Sequence, residues 1–218
     1  MIQGSNEWLE WRRTGIGGSD APVVAGQNKW GSMRDFWRDK KGLPPLKAKN
    51  TFILDRGNAV EPIARAKYEL NNGCIEMKPL TFRHFQKPHL IASLDGANLE
   101  LRAGLELKLI GIDNFKLIQS GHVPDHYIPQ VQHQLIVTGF DYIDFAGYYL
   151  NPQLSKDPDF FHRGELAQVR VYPDWDWIAQ YIPKADAAWE LVLNGTEPEE
   201  ILKEKKPRKS KKKELADG

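Results

Sequence analysis

IASLDGANLELRAGLELKL, residues 91–109, holds two short apolar runs with a turn signal between them. In the second run Leu105, Leu107 and Leu109 alternate with Gly104, Glu106 and Lys108, the period-2 pattern of a strand with two chemically different faces. Alternation puts Glu106 and Lys108 on one side, with the Leu107 carbonyl between them. Ser93-Leu94-Asp95-Gly96 reads as a strand ending in a turn, because Gly96 and Asn98 tolerate positive φ. A β-hairpin then brings Asp95 beside Glu106, forming a two-carboxylate nest with an ammonium at its edge. Such a nest suits Mg²⁺ or Mn²⁺, hard cations that prefer carboxylate, carbonyl and water oxygens. The same residues also read as a plain turn followed by a strand with a solvated Glu106/Lys108 pair, which contributes little. The choice rests on the rest of the chain.

At 218 residues, with 41% hydrophobic and 11% aromatic residues, the chain can bury a substantial core. We read residues 1–202 as one domain and 203–218 as a basic, disordered tail: KEKKPRKSKKK, residues 203–213, holds eight basic residues against one acidic. Overall charge is balanced, 30 Lys and Arg against 29 Asp and Glu, so the part before the tail is net acidic. The single cysteine, Cys74, excludes a disulfide framework and fits a reducing compartment. No apolar run approaches the ~18 residues of a membrane helix, and MIQGSNEWLEW is no signal peptide. Together these lead us to expect a cytoplasmic protein.

Upstream, Ser5 or Asn6 caps a helix through WLEWRR, with Trp8 and Trp11 on one face as core residues and Arg12 at its end. Thr14-Gly-Ile-Gly-Gly-Ser-Asp-Ala-Pro22 is a Gly-rich loop entering a helix capped by Ser19 or Asp20. It reads either as a phosphate seat flanked by Arg12 or as an ordinary capped loop; it matches neither the Walker A nor the dinucleotide pattern. Residues 32–41 form an amphipathic helix carrying Phe36 and Trp37, stopped by Gly42 and Pro44-Pro45, and residues 47–50 form a polar loop. Residues 51–70 are helical, with Pro62 starting a new first turn rather than continuing a rod. Glu61 there is either a buried carboxylate needing a partner or a metal, or an exposed first-turn Glu needing neither.

Residues 75–91 read as strand with a turn at Gln86-Lys87-Pro88. After Leu109 come about 18 irregular residues, including His122 and His126, which read as loop residues rather than ligands. A helix follows from near Pro129 to Thr138, with Gln130, Gln132 and Gln134 along it. Strands at 140–150 and 168–172 and a helix over 175–194 complete an α/β (α+β) layout around a mixed central sheet flanked by helices.

Arg12, GIGGSD (15–20), RGNAVE (56–61), SLDG (93–96), ELK (106–108) and QVQ (130–132) come in one order. That set resembles the PD-(D/E)XK nuclease superfamily, and within it the YqaJ-like viral recombinase (phage lambda exonuclease) family, from about Trp8 to Gly139. The resemblance implies a restriction-endonuclease-like core and a set of roles. Asp95 and Glu106 would hold Mg²⁺ (Mn²⁺ substituting), with the Leu107 carbonyl as a further ligand. Lys108 would orient or deprotonate the attacking water, Glu61 would complete the metal site or assist the water, and Gln130 would hold the water or the scissile phosphate. Arg12, Ser19 and Ser93 match the family's 5′-phosphate pocket, and Phe52 or Leu54 are candidates for a DNA-end wedge. Leu94 stands where the superfamily has proline; that position only shapes the turn.

Members of that family are toroidal homotrimers. They digest one strand of duplex DNA ends 5′→3′ and hand the remaining 3′ strand to a single-strand annealing protein. The implied function is therefore a metal-dependent double-strand DNA exonuclease of phage recombination. Two other functions remain open on these residues: a sequence- or structure-specific endonuclease on the same scaffold, and a non-catalytic DNA-binding module whose main contact is the tail.

Overall fold

A computed structural model of the protein describes residues 3–28, 31–46 and 51–199, with the side chains of 51–54 outside the described set. The predicted tail, the loop at 47–50 and the wedge side chains of Phe52 and Leu54 lie outside the described residues. One five-stranded mixed sheet organises the rest, in the order β1 (Lys78–Arg83), β2 (Ile91–Asn98), β3 (Ala103–Ile110), β4 (Tyr142–Tyr149), β5 (Glu165–Val171). All neighbours pair antiparallel except β3 and β4, which are parallel. A parallel pair requires a crossover, and here it contains α5 (Ile112–Gln119) and α6 (Ile128–Thr138).

The alternation in residues 104–109 sends β3's side chains to two different layers. Leu105 and Leu107 pack with Val60, Ala64 and Tyr68 of α4 (Thr51–Asn71). On the opposite face Leu94, Ile110, Ile143 and Phe145 pack against Phe115 and Ile118 of α5 and Val131 and Leu135 of α6. Beyond α6 a third layer joins α2 (Ala21–Val24), α3 (Met33–Lys40) and α7 (Trp175–Leu193) through Phe36, Trp37, Tyr181, Ala185 and Val192. The predicted α/β architecture with a mixed sheet and flanking helices is the one observed.

Local departures have local causes. Pro62 does not restart the helix: α4 runs unbroken through it. The proline lies on the exposed side, and the buried stripe Val60–Ala64–Tyr68 holds the rod against the sheet. The segment expected to be irregular contains α5, whose eight residues carry only Phe115 and Ile118 as buried anchors, too few for the periodicity to register. Gly96 is not a turn residue with positive φ; β2 continues through it to Asn98, and the turn comes at 99–102, where Arg102 adopts φ 49°.

Candidate active site

Asp95 sits where β2 changes register. Against β1, Lys78 faces Ala97 but Leu80 faces Leu94, so β2 accommodates an extra residue opposite Pro79, which has no ladder donor to lose. Against β3 the paired residues run from Asn98↔Ala103 to Gly96↔Leu105, and no further. Gly96 permits this geometry by close approach: a Cβ there would lie 2.8 Å from Met77 Cβ. Past the end of the ladder the Leu107 N–H donates to the Asp95 carboxylate Oδ2 at 2.7 Å instead of to a β2 carbonyl. The irregularity therefore aims a carboxylate at β3 directly beside Glu106.

Glu106 is 1% exposed. Its Oε1 accepts from the Lys108 ammonium and, at 2.6 Å, from Gln130 Nε2; its Oε2 accepts from Gln134 Nε2 at 2.5 Å. Gln130 and Gln134 are one turn apart on α6, and Gly18 packs on both, since a Cβ there would come within 3.2 Å of Gln130 Cγ and 3.3 Å of Gln134 Cγ. Glu61, on α4, accepts from Arg65 Nη1 at 3.0 Å, and the same nitrogen donates to the Asp95 carbonyl at 2.6 Å. Glu61 is thus tied to the Asp95 backbone through Arg65.

Arg12, at the end of α1 (Asn6–Arg13), donates from Nη2 to Ser19 Oγ at 2.6 Å and lies over the Trp8 ring, 4.7 Å from its centroid. Trp8 Nε1 in turn donates to Ser93 Oγ at 2.9 Å. Trp8 and Trp11 are therefore not core residues: α1 has no buried residue, and both tryptophans line the cleft. The Gly-rich loop closes as a short 3-10 turn, Gly18–Asp20, followed by the four-residue α2, and Asp20 caps through its side chain back to Gly17 N. Gly15 is required by close approach, because a Cβ would sit 2.7 Å from the His89 carbonyl that bonds Ile16.

One cleft of about 430 Å³ collects all nine residues singled out from the sequence: Arg12, Ser19, Glu61, Ser93, Asp95, Glu106, Leu107, Lys108 and Gln130. Its electrostatics follow from the crowding. Burial, then Glu106 and Glu61, raise the Asp95 carboxyl well above its ordinary range, despite Lys108 and the Leu107 N–H. Burial opposes charge on Lys108, but Glu106 and Asp95 outweigh it and hold the amine in its ammonium form. Burial likewise raises the Tyr127 phenol at the cleft wall. Among the described residues no three His, Cys, Asp or Glu side chains converge as a ready metal cage. The donors that fit a hard divalent cation are the Asp95 and Glu106 carboxylates with the Leu107 carbonyl, two repelling anions that a cation would relieve.

Arg65, Gln134, Trp8 and Tyr127 escaped the sequence reading of the site. Arg65 and Gln134 stand four residues beyond Glu61 and Gln130, so helical spacing from a site residue was the available signal. His122 is exposed and does not line the cleft, and neither does His126.

Residues 7–141 match the model of the YqaJ-like viral recombinase domain. Protein YqaJ of Bacillus subtilis (strain 168), described as uncharacterised, is 35% identical over 138 residues, 63% of this chain and 43% of that protein; the chain thus matches less than half of its relative's length. Among solved structures, the alkaline exonuclease of Laribacter hongkongensis superposes with a TM-score of 0.67 at 22% identity, covering 88% of this chain and 94% of that one. The same enzyme in complex with dAMP gives 0.68 at 24% over the same shares. A phage-related exonuclease of Haemophilus somnus 129PT gives 0.60 at 12%, covering 82% and 93%. These structures share the fold.

Proposed function

As the chain belongs to the YqaJ-like viral recombinase family, we propose that it is a Mg²⁺-dependent exonuclease that digests the 5′-phosphorylated strand of duplex DNA ends 5′→3′ and leaves a 3′ single strand for an annealing protein. The observation that carries this reading is that two groups line one cleft: Asp95, Glu106 and Lys108, and Arg12, Ser19 and Ser93. The first group has the composition phosphodiester hydrolysis needs, and the second has that of a terminal-phosphate seat. The exonuclease structures that share the fold support the reaction class.

Asp95, Glu106 and the Leu107 carbonyl are the groups that would hold the cation. Bound there, Mg²⁺ or Mn²⁺ supplies charge neutralisation on the scissile phosphate and activation of the attacking water. Lys108, an ammonium beside both carboxylates, orients that water and stabilises charge developing on the phosphate. Gln130, whose Nε2 donates to Glu106, would hold the water or a phosphate oxygen. Glu61, tied through Arg65 to the Asp95 carbonyl, would assist the water. Arg12 with Ser19 and Ser93 grips the 5′-phosphate and sets which bond is cut. Recognition by phosphate contacts makes binding sequence-independent and salt-sensitive. Encirclement by a homotrimer is the assembly this reading carries.

The test is digestion of linear duplex, with and without 5′-phosphate, in Mg²⁺ or EDTA, alongside covalently closed circles. We expect Mg²⁺-dependent loss of the phosphorylated linear strand and intact circles. Nicked circles would make it an endonuclease, and full digestion by Glu106→Ala would remove the metal-site assignment.

A further inference from the structure

Lys40, on α3, is a lysine with a fully buried side chain. Its Nζ ion-pairs with Asp20 Oδ2 at 2.6 Å and donates to the Arg12 carbonyl at 3.0 Å. The same Asp20 oxygen accepts from Gly17 N at 2.8 Å, so one carboxylate ties the Gly-rich loop to α3. This pair stands directly behind Arg12 and Ser19, since Asp20 adjoins Ser19 and Lys40 holds the backbone of Arg12. Asp20 is in an awkward place for a site that receives an anion. Its carboxyl is pushed up by burial yet carried below its ordinary value by Lys40, by the Arg12 guanidinium and by the Gly17 N–H, so it stays ionised there. An unneutralised carboxylate in that position competes with an incoming phosphate for Arg12, and a buried ion stripped of its partner seeks another.

We infer that Lys40 is a positioning residue for the terminal-phosphate seat: by neutralising Asp20 it leaves the Arg12 guanidinium to the substrate's 5′-phosphate. Lys40 itself, with no exposed side-chain surface, touches no substrate. The inference rests on the reading of Arg12, Ser19 and Ser93 as that seat.

The experiment compares kcat/KM on linear duplexes with 5′-phosphate and 5′-hydroxyl ends, in Mg²⁺, for the full chain and for Lys40→Met, Asp20→Asn and the double variant, with thermal melting of each. The preference for phosphorylated ends should fall about tenfold in Lys40→Met, the scale of one charge-assisted contact. The loss should appear as a raised KM for phosphorylated ends, with kcat at saturation kept. Asp20→Asn, whose amide oxygen can still accept from Gly17 N, should keep the preference. The double variant should regain it, because removing the carboxylate removes the need for the lysine; a purely structural pair is rescued in melting temperature as well, but its folded Lys40→Met, assayed well below its melting point, keeps the wild-type preference. A folded Lys40→Met with wild-type preference overturns the inference, and so does a double variant as indifferent to the phosphate as Lys40→Met. Should Lys40→Met fail to fold, the variants lacking the Asp20 charge decide, and loss of preference in either overturns it. A wild-type protein indifferent to the 5′-phosphate sinks the seat itself.

Discussion

Both carboxylate oxygens of Glu106 are engaged by amides of α6, and Gln134 is the less obvious of the two donors. Its Nε2 reaches Glu106 Oε2 at 2.5 Å and the Ser93 carbonyl at 3.3 Å, so it joins the carboxylate to β2 at Ser93. Two acceptors around one amide nitrogen fix which end of the side chain faces them. The other end, Gln134 Oε1, is buried with no hydrogen-bond partner among the described residues, which leaves Nε2 as the end that holds the side chain there. Groups that orient a metal ligand typically tune affinity by about 10- to 100-fold. Gln134→Leu should therefore raise the half-activating Mg²⁺ concentration by about tenfold and weaken Mn²⁺ binding, read by electron paramagnetic resonance, in parallel. Unchanged Mn²⁺ affinity would reduce Gln134 to a packing residue.

At the scale of elements, the β2 irregularity and α6 decide whether the site exists. Gly96→Ala pushes a methyl into Met77 Cβ, backbone-near atoms with little room to yield. It should cost about 1–3 kcal/mol by overpacking, measured by denaturant unfolding, and should lower activity further by displacing Asp95. Behind the side of α6 that carries Gln130 and Gln134 lies His133, fully buried, its Nε2 within 2.9 Å of the Ile91 carbonyl and its Nδ1 within 2.9 Å of the Tyr181 hydroxyl. Burial lowers its pKa to about 4. The unfolded chain takes up this proton near pH 6.5 and the folded chain only near pH 4, so this neutral histidine stabilises fully above pH 6.5 and loses stability as pH falls between those values. The loss amounts to about 3 kcal/mol at the bottom of that window. Chemical denaturation from pH 7 to pH 4 should show this fall, and His133→Gln should flatten it.

At the scale of the molecule, the described residues that line the cleft lie between Gln3 and Tyr148, and the basic run begins far along the chain at Lys203. Removing residues 203–218 should therefore leave Mg²⁺-dependent digestion of linear duplex in place. It should weaken DNA binding and flatten the dependence of log K on log salt, because phosphate contacts from eight basic residues are lost. Abolished digestion would make the tail the principal DNA contact. No helix among the described residues is long and apolar enough to cross a membrane.

Short-range periodicity was legible in the chain. Leu105, Leu107 and Leu109 alternating with Glu106 and Lys108 determined a two-faced strand, while the Asp95–Glu106 spacing only allowed a hairpin that sets the two carboxylates side by side, and the ladder Gly96↔Leu105 to Asn98↔Ala103 decided it. The helix from near Pro129 to Thr138 and the stop at Gly42 followed from local backbone preferences, which neighbours alone dictate. The sequence could not determine that β2 slips by a residue at Asp95, that α4 runs straight through Pro62, or that α5 exists. Nor could it show that Arg65 bridges Glu61 to Asp95, or that Lys40 finds Asp20. Each of these depends on segments distant in the chain meeting across packed faces, as Arg65 meets Asp95 and Lys40 meets Asp20. The energy of that meeting, spread over whole layers, overrides local propensity and leaves no periodic mark in the chain.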